Sequence, residues 1–139
     1  MRAEIEGFAA SQILFNLGEL THAMPPDMCA LNEVETAWYQ EQKLPIFAYS
    51  ATANGFFGAT IPDGNLYDND ISRSRRERAI ELAQKRGATS HQIALAFSMN
   101  QNFPVFPIFS TTRAEHLSET MRAPEIRLSP AETRWLRDG

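Results

Sequence analysis

Apolar residues come in short blocks along this chain, separated by polar and glycine-rich stretches, with no single period sustained throughout. Gly7 to Leu17 reads Gly-Phe-Ala-Ala-Ser-Gln-Ile-Leu-Phe-Asn-Leu, the near-continuous apolar pattern of a buried strand. Leu31 to Lys43 fits a helix, and Leu44 to Tyr49 fits a second short strand bounded by polar residues. Ala51 to Asn69 is rich in glycine, contains a proline and reads as a long loop of the functional kind. Asp70 to Arg86 predicts a helix closed by Gly87 in a left-handed terminus. Thr89 and Gln92 have the spacing of a capping box, opening a helix whose body, Ile93 to Met99, is apolar on nearly every side and therefore buried. Phe103 to Phe109 predicts a third strand, made irregular by two prolines. A short helix from Arg113 to about Met121 follows, and Ser129-Pro130-Ala131-Glu132 opens a last one with a cap, a proline in the first turn and a returning carboxylate.

Strands alternating with helices predict a parallel α/β architecture. Three strands make a thin sheet for a self-contained fold of this class. With 139 residues the chain has room for one domain. Its 43% hydrophobic and 22% charged residues, with 9 Phe, 3 Tyr and 2 Trp, supply a core and argue against disorder. No apolar run approaches the ~18–20 residues of a membrane helix. The early Arg2, Glu4, Glu6 and Glu19, without a continuous apolar block, do not read as a secretory leader, so the expected location is cytoplasmic. A formal charge of −4 argues against nucleic acid as the main partner. Cys29 is the single cysteine; it forms no internal disulfide and reads as ordinary structure.

The end of the third strand carries the most informative chemistry. Ser110, Thr111 and Thr112 lie between a strand end and a helix start, followed at once by Arg113. Free backbone N–H groups, hydroxyls and a guanidinium there suit a phosphate. Alternatively, Thr112 caps the helix with Glu115 completing the box. At the second strand's end, Tyr49-Ser50-Ala51-Thr52-Ala53-Asn54-Gly55 places an aromatic ring and then small residues where parallel sheets bind ligands. A core tyrosine followed by a turn fits the same spacing. Gln12 is polar within an apolar run and needs partners if buried. His22, His91 and His116 lack metal-ligand spacing, so no metal site is expected, and His91 reads as solvated in a helix's first turn. Arg73, Arg75, Arg76 and Arg78, interspersed with Glu77 and Glu81, read as a solvated helix face.

Five segments in order across nearly the whole chain resemble the C-terminal half of an aldo-keto reductase. They are Phe8-Ala-Ala-Ser-Gln12; Leu44-Pro-Ile-Phe-Ala-Tyr-Ser50 with Gly55; Thr89-Ser-His-Gln-Ile-Ala-Leu-Ala-Phe97; Phe106-Pro-Ile-Phe-Ser-Thr-Thr-Arg113 with Glu115-His-Leu117; and Leu128-Ser-Pro-Ala-Glu132. The resemblance implies an NADPH-dependent carbonyl reductase on a (β/α)8 TIM barrel. Residues 1–139 would supply its last three strands with their helices, as a truncated portion of that domain. Such a barrel needs ~250 residues.

By the same resemblance, Gln12 hydrogen-bonds the nicotinamide carboxamide, Tyr49 stacks on its ring, and Ser50, Thr52 and Asn54 line the pyrophosphate. Ser110, Thr111, Thr112 and Arg113 hold the adenosine ribose and the 2′-phosphate of NADP(H), with His116, Glu119 and Thr120 near the adenine. Ser110 stands where many relatives have glycine, and Thr120 where relatives often carry asparagine. The family's catalytic Asp, Tyr, Lys and His lie on earlier strands, so no catalytic residue is expected in this chain. The expected partner is a small carbonyl substrate once the barrel is completed, and the open sheet edges offer a route to self-association. A non-catalytic half-barrel that binds nucleotide, or a remnant, is the alternative.

Overall fold

The computed structural model describes residues 7–22 and 29–139; the leader reading of Arg2, Glu4 and Glu6 lies outside them. Three strands, β1 (Ser11–Leu14), β2 (Ile46–Tyr49) and β3 (Val105–Pro107), form one parallel sheet in the order β1-β2-β3. The register sets Gln12 beside Phe47 and Phe47 beside Phe106. Helix α1 (Glu33–Gln42) connects the first pair, and α2 (Asp70–Arg86) and α3 (Ser90–Met99) the second; α4 (Ala114–Thr120) and α5 (Pro130–Asp138) follow β3. The α/β class and the parallel sheet are as the sequence predicts.

Helix ends follow local chemistry. Asn32, Thr89 and Ser129 each close a capping box with Glu35, Gln92 and Glu132, and Gly87 ends α2 at φ 62°. The α4 start departs from expectation. Arg113 is its N-cap with no side-chain cap bond, while Thr111 Oγ1 accepts from the Arg113 amide at 3.2 Å. Thr112 therefore does not cap, because the turn closes one residue earlier, on Thr111.

Strands are shorter than the apolar runs containing them. Phe8, before β1, is 90% exposed. Pro104 and Pro107 bracket β3: Ile46 N donates to the Pro104 carbonyl at 3.0 Å and Ile108 N to the Ala48 carbonyl at 2.8 Å, and a proline lacks the N–H to continue the ladder. On the other side of the sheet, Leu14 bridges to Ala30, its amide donating to the Cys29 carbonyl at 3.2 Å.

One sheet face is covered and the other is not. Ile13, Ile46, Ala48 and Val105 are buried with Tyr39 and Phe103 on the face that α1 packs against. Phe47, Phe106 and Ile108 point the other way and are 44%, 52% and 43% exposed, the two ring centroids 5.6 Å apart and the rings tilted by 32°. The main core lies beside the sheet, where Leu17, Phe56, Phe57, Tyr67, Ile93, Phe97 and Leu136 join α2, α3 and α5. The 51–69 segment is thus more than a surface loop: it carries a 3-10 turn (Ala53–Gly55) and gives Phe56, Phe57 and Tyr67 to this core.

The arginines of α2 are not a solvated face. Arg75 donates to the Leu17 and Arg137 carbonyls, Arg78 to the Leu136 and Arg137 carbonyls, and Arg76 to the Phe56, Gly58 and Ala59 carbonyls. Arg73 alone of the four lies out in solvent, paired with Asp68. Their long stems reach carbonyls that strand and helix ladders leave free, a use invisible to charge patterning.

Candidate functional site

The C-terminal ends of β2 and β3 open onto one cleft of about 970 Å³. After β2 the chain turns through three non-glycine residues with positive φ: Ser50 at 51°, Ala53 at 48° and Asn54 at 51°. Such backbone is uncommon for residues with a side chain and persists only where surroundings hold it. Here the holder is Asn16, whose Nδ2 donates to the Ser50 carbonyl at 3.0 Å and to the Tyr67 hydroxyl at 3.2 Å. Tyr67 is 1% exposed, and its burial pushes the phenol pKa up, so it stays a neutral hydrogen-bonding group. The far wall of the turn is tied by Arg76 from α2 and by Ser90 Oγ, which donates to the Phe57 carbonyl at 2.7 Å.

Thr52 and Asn54 from the β2 turn line this cleft together with Ser110, Thr111, Arg113, His116, Glu119 and Thr120 from the β3 end and α4. Two segments about 60 residues apart in sequence thus meet around one space. Gln12, Tyr49, Ser50 and Thr112 are not among its lining residues. Gln12 is exposed on the open face of β1, so burial imposes no partner on it. Tyr49 is half-buried at the end of β2, its hydroxyl donating to the Cys29 carbonyl at 3.1 Å. Ser50 is half-buried in the strained turn, and Thr112 is exposed on the β3–α4 connection.

Arg113 is exposed and lies 3.6 Å from Glu115, leaving its guanidinium free to take a stronger anion. Glu119 is already engaged: Oε1 accepts from Thr89 Oγ1 at 2.6 Å, and its carbonyl accepts from Gln92 Nε2 at 2.8 Å. Thr120 is 5% exposed, its hydroxyl 3.2 Å from His91 Nε2. His91 is therefore not the solvated residue its first-turn position suggests. Burial pushes its pKa below the ordinary value, Glu119 partly offsetting this and His116 adding to it. Asn16, Tyr67 and His91 are the polar residues of this region that sequence reasoning passed over or misplaced. Asn16 shares the apolar run with Gln12 and carried the same signal.

Among the described residues no group of three or more metal-ligating side chains occurs and no helix is long and apolar enough to cross a membrane. The lining offers hydroxyls, the Asn54 and Gln84 amides, one guanidinium, two imidazoles and the Glu119 carboxylate, which Thr89 already engages; the set suits an oxygen-rich ligand with an anionic group near Arg113.

A family model described as the aldo/keto reductase family matches residues 8–138. The chain belongs to the aldo/keto reductase family. Its relatives include a probable aldo-keto reductase of Glycine max, 30% identical over 109 residues, which span 68% of this chain and 32% of that protein. Among solved structures, an aldo-keto reductase from Klebsiella pneumoniae crystallised with NADPH is 25% identical with a TM-score of 0.59, over 92% of this chain and 38% of that one. A crystal of Klebsiella pneumoniae aldo/keto reductase with NADP and acetate gives 26% identity and a TM-score of 0.55, over 91% and 38%. A thermostable aldo-keto reductase bound to epalrestat shares the fold at 23% identity and a TM-score of 0.62, over 96% and 40%. The chain spans about a third of the curated relative, and about two fifths of the solved chains, that it matches.

Proposed function

We propose that this chain is the cofactor-holding portion of an NADPH-dependent carbonyl reductase, corresponding to the last three strand–helix units of a (β/α)8 barrel. The observation that carries the reading is the convergence of Thr52 and Asn54 with Ser110, Thr111 and Arg113 on one cleft at the C-terminal ends of parallel strands. Thr52 and Asn54 line the pyrophosphate, joined at the turn by Ser50. Ser110, Thr111, Thr112 and Arg113 take the adenosine ribose and 2′-phosphate, with His116, Glu119 and Thr120 at the adenine end. Gln12, on the open face of β1, and Tyr49, at the end of β2, both outside that cleft's lining, serve the nicotinamide. A bound nicotinamide supplies the hydride for carbonyl reduction; the chain's own residues bind and orient it.

Reduction also needs an acid for the developing alkoxide. Tyr49 already donates its proton to the Cys29 carbonyl, and the neighbouring Tyr67 phenol is buried with its pKa pushed up. The isolated chain is therefore expected to bind NADPH without consuming it when offered a panel of aldehydes. Turnover that copurifies with the chain would refute this half of the reading.

The binding half is tested at Arg113. A hydrogen bond to a charged group contributes ~1.5–3 kcal/mol, roughly ten- to hundredfold in affinity. Because this guanidinium is exposed, Arg113→Ala should sit at the low end, weakening NADPH about tenfold and leaving NADH nearly unchanged. Equal losses for both, in titrations at one ionic strength, would remove the 2′-phosphate assignment.

A further inference from the structure

His91 lines the same cleft as Arg113 and His116, and the reading above gives it no task. It stands in the first turn of α3, half-buried, with Nε2 3.2 Å from Thr120 Oγ1. Around it two of the three residues assigned to the adenine end are already engaged, while His116 stands exposed on α4. Thr120 is buried and turned to the imidazole, and Glu119 is held by Thr89 and Gln92. These three ties stitch the start of α3 to the end of α4. The imidazole is left at the cleft wall with a second nitrogen, Nδ1, that makes no hydrogen bond among the described residues.

We propose that His91 is the base-contacting residue of this cleft: Nδ1 meets a polar group on the edge of adenine, and Thr120 is the positioning residue that fixes the ring through Nε2. The assignment rests on the nucleotide reading of the cleft. A hydroxyl is both donor and acceptor, so Thr120 supports either tautomer. When its O–H donates to Nε2, Nδ1 carries a proton for a ring nitrogen of the base. When it accepts from Nε2–H, Nδ1 offers a lone pair to the exocyclic amino group. Adenine presents both kinds of group along one edge. The pair of side chains thereby supplies the donor-or-acceptor capacity that a single amide would bring, from two helices instead of one. Burial keeps the ring neutral, which preserves the lone pair; Glu119 and His116 are the charged and titratable groups facing it.

Because adenine is common to both dinucleotides, His91→Ala should weaken NADP+ and NAD+ by the same factor, about two- to tenfold for one neutral hydrogen bond. Arg113→Ala discriminates between them, so the two variants have different signatures. Nitrogen-15 spectra of the imidazoles, with adenosine 5′-monophosphate as probe, should show the His91 ring nitrogens shifting on addition. In Thr120→Val the ring remains but loses its brace, and the shift should shrink while the preference between NADP+ and NAD+ stays as in the wild type. Unchanged affinities in His91→Ala, or a loss confined to NADP+, would overturn the assignment while leaving the nucleotide reading in place. Failure of the wild type to bind either dinucleotide would overturn both.

Discussion

Replacing Arg76 with alanine removes a clamp that one side chain applies to three successive parts of the cleft wall. Its Nε donates to the Phe56 carbonyl at 3.1 Å, and Nη2 donates to the Gly58 and Ala59 carbonyls at 2.7 and 3.2 Å. Each hydrogen bond from a charged donor is worth ~1.5–3 kcal/mol in isolation. The three share one guanidinium and are not additive, and water can reach the Ala59 carbonyl once the side chain is gone. The expected loss is therefore about 2–4 kcal/mol, nearer one strong bond than three. Arg76→Lys keeps the charge but reaches fewer carbonyls and should recover about half of it. Urea unfolding followed by the fluorescence of Trp38 and Trp135 measures both variants, and amide exchange at Gly58 to Thr60 reports whether the wall opens locally. Because Phe56 and Phe57 are buried beside these carbonyls, loosening here reaches the core. A change below about 0.5 kcal/mol, the range of neutral surface substitutions, would refute the clamp.

The open sheet face should drive self-association, since fully burying a large apolar side chain is worth ~1.5–3 kcal/mol. Light scattering should show a concentration-dependent mass that falls in Phe47→Ser/Phe106→Ser, and a wild type that stays monomeric throughout would refute this. His91 should make stability pH-dependent. Its folded pKa is lowered, chiefly by burial, so between that value and the ordinary 6.5 the unfolded chain binds more protons than the folded one. Its stabilising share is thus present above 6.5 and lost as pH falls through the window. His91→Gln should flatten the curve there, and identical slopes in calorimetric scans would exclude the effect.

Legibility tracked how local the cause was. Asp70–Arg86 with Gly87, the Thr89–Gln92 box and the Ser129–Glu132 box were readable because a cap is settled within a few residues. The strand ends were not, because pairing partners decide them: Phe8 belongs to an apolar run but has no neighbour strand to join. Among the site residues, Thr52, Asn54, Ser110, Thr111, Arg113, His116, Glu119 and Thr120 do share one cleft. What stayed hidden was long-range wiring. Arg76 reaches back about 20 residues to Phe56, Asn16 reaches about 50 to Tyr67, and His91 owes its environment to Thr120 on another helix. Periodicity carries no record of such partners.

The prolines of β3 have a consequence for anything that docks beside it. Residues 104, 106 and 108 turn their main-chain groups toward β2, so Val105 and Pro107 turn theirs outward. That outer margin offers one N–H, at Val105, and two carbonyls. An incoming parallel strand must match a donor-poor pattern, and a shift by two residues sets its carbonyl against the proline ring in place of the lone N–H. A margin with both donors would accept either alignment equally; this one encodes a single reading frame for whatever strand joins it.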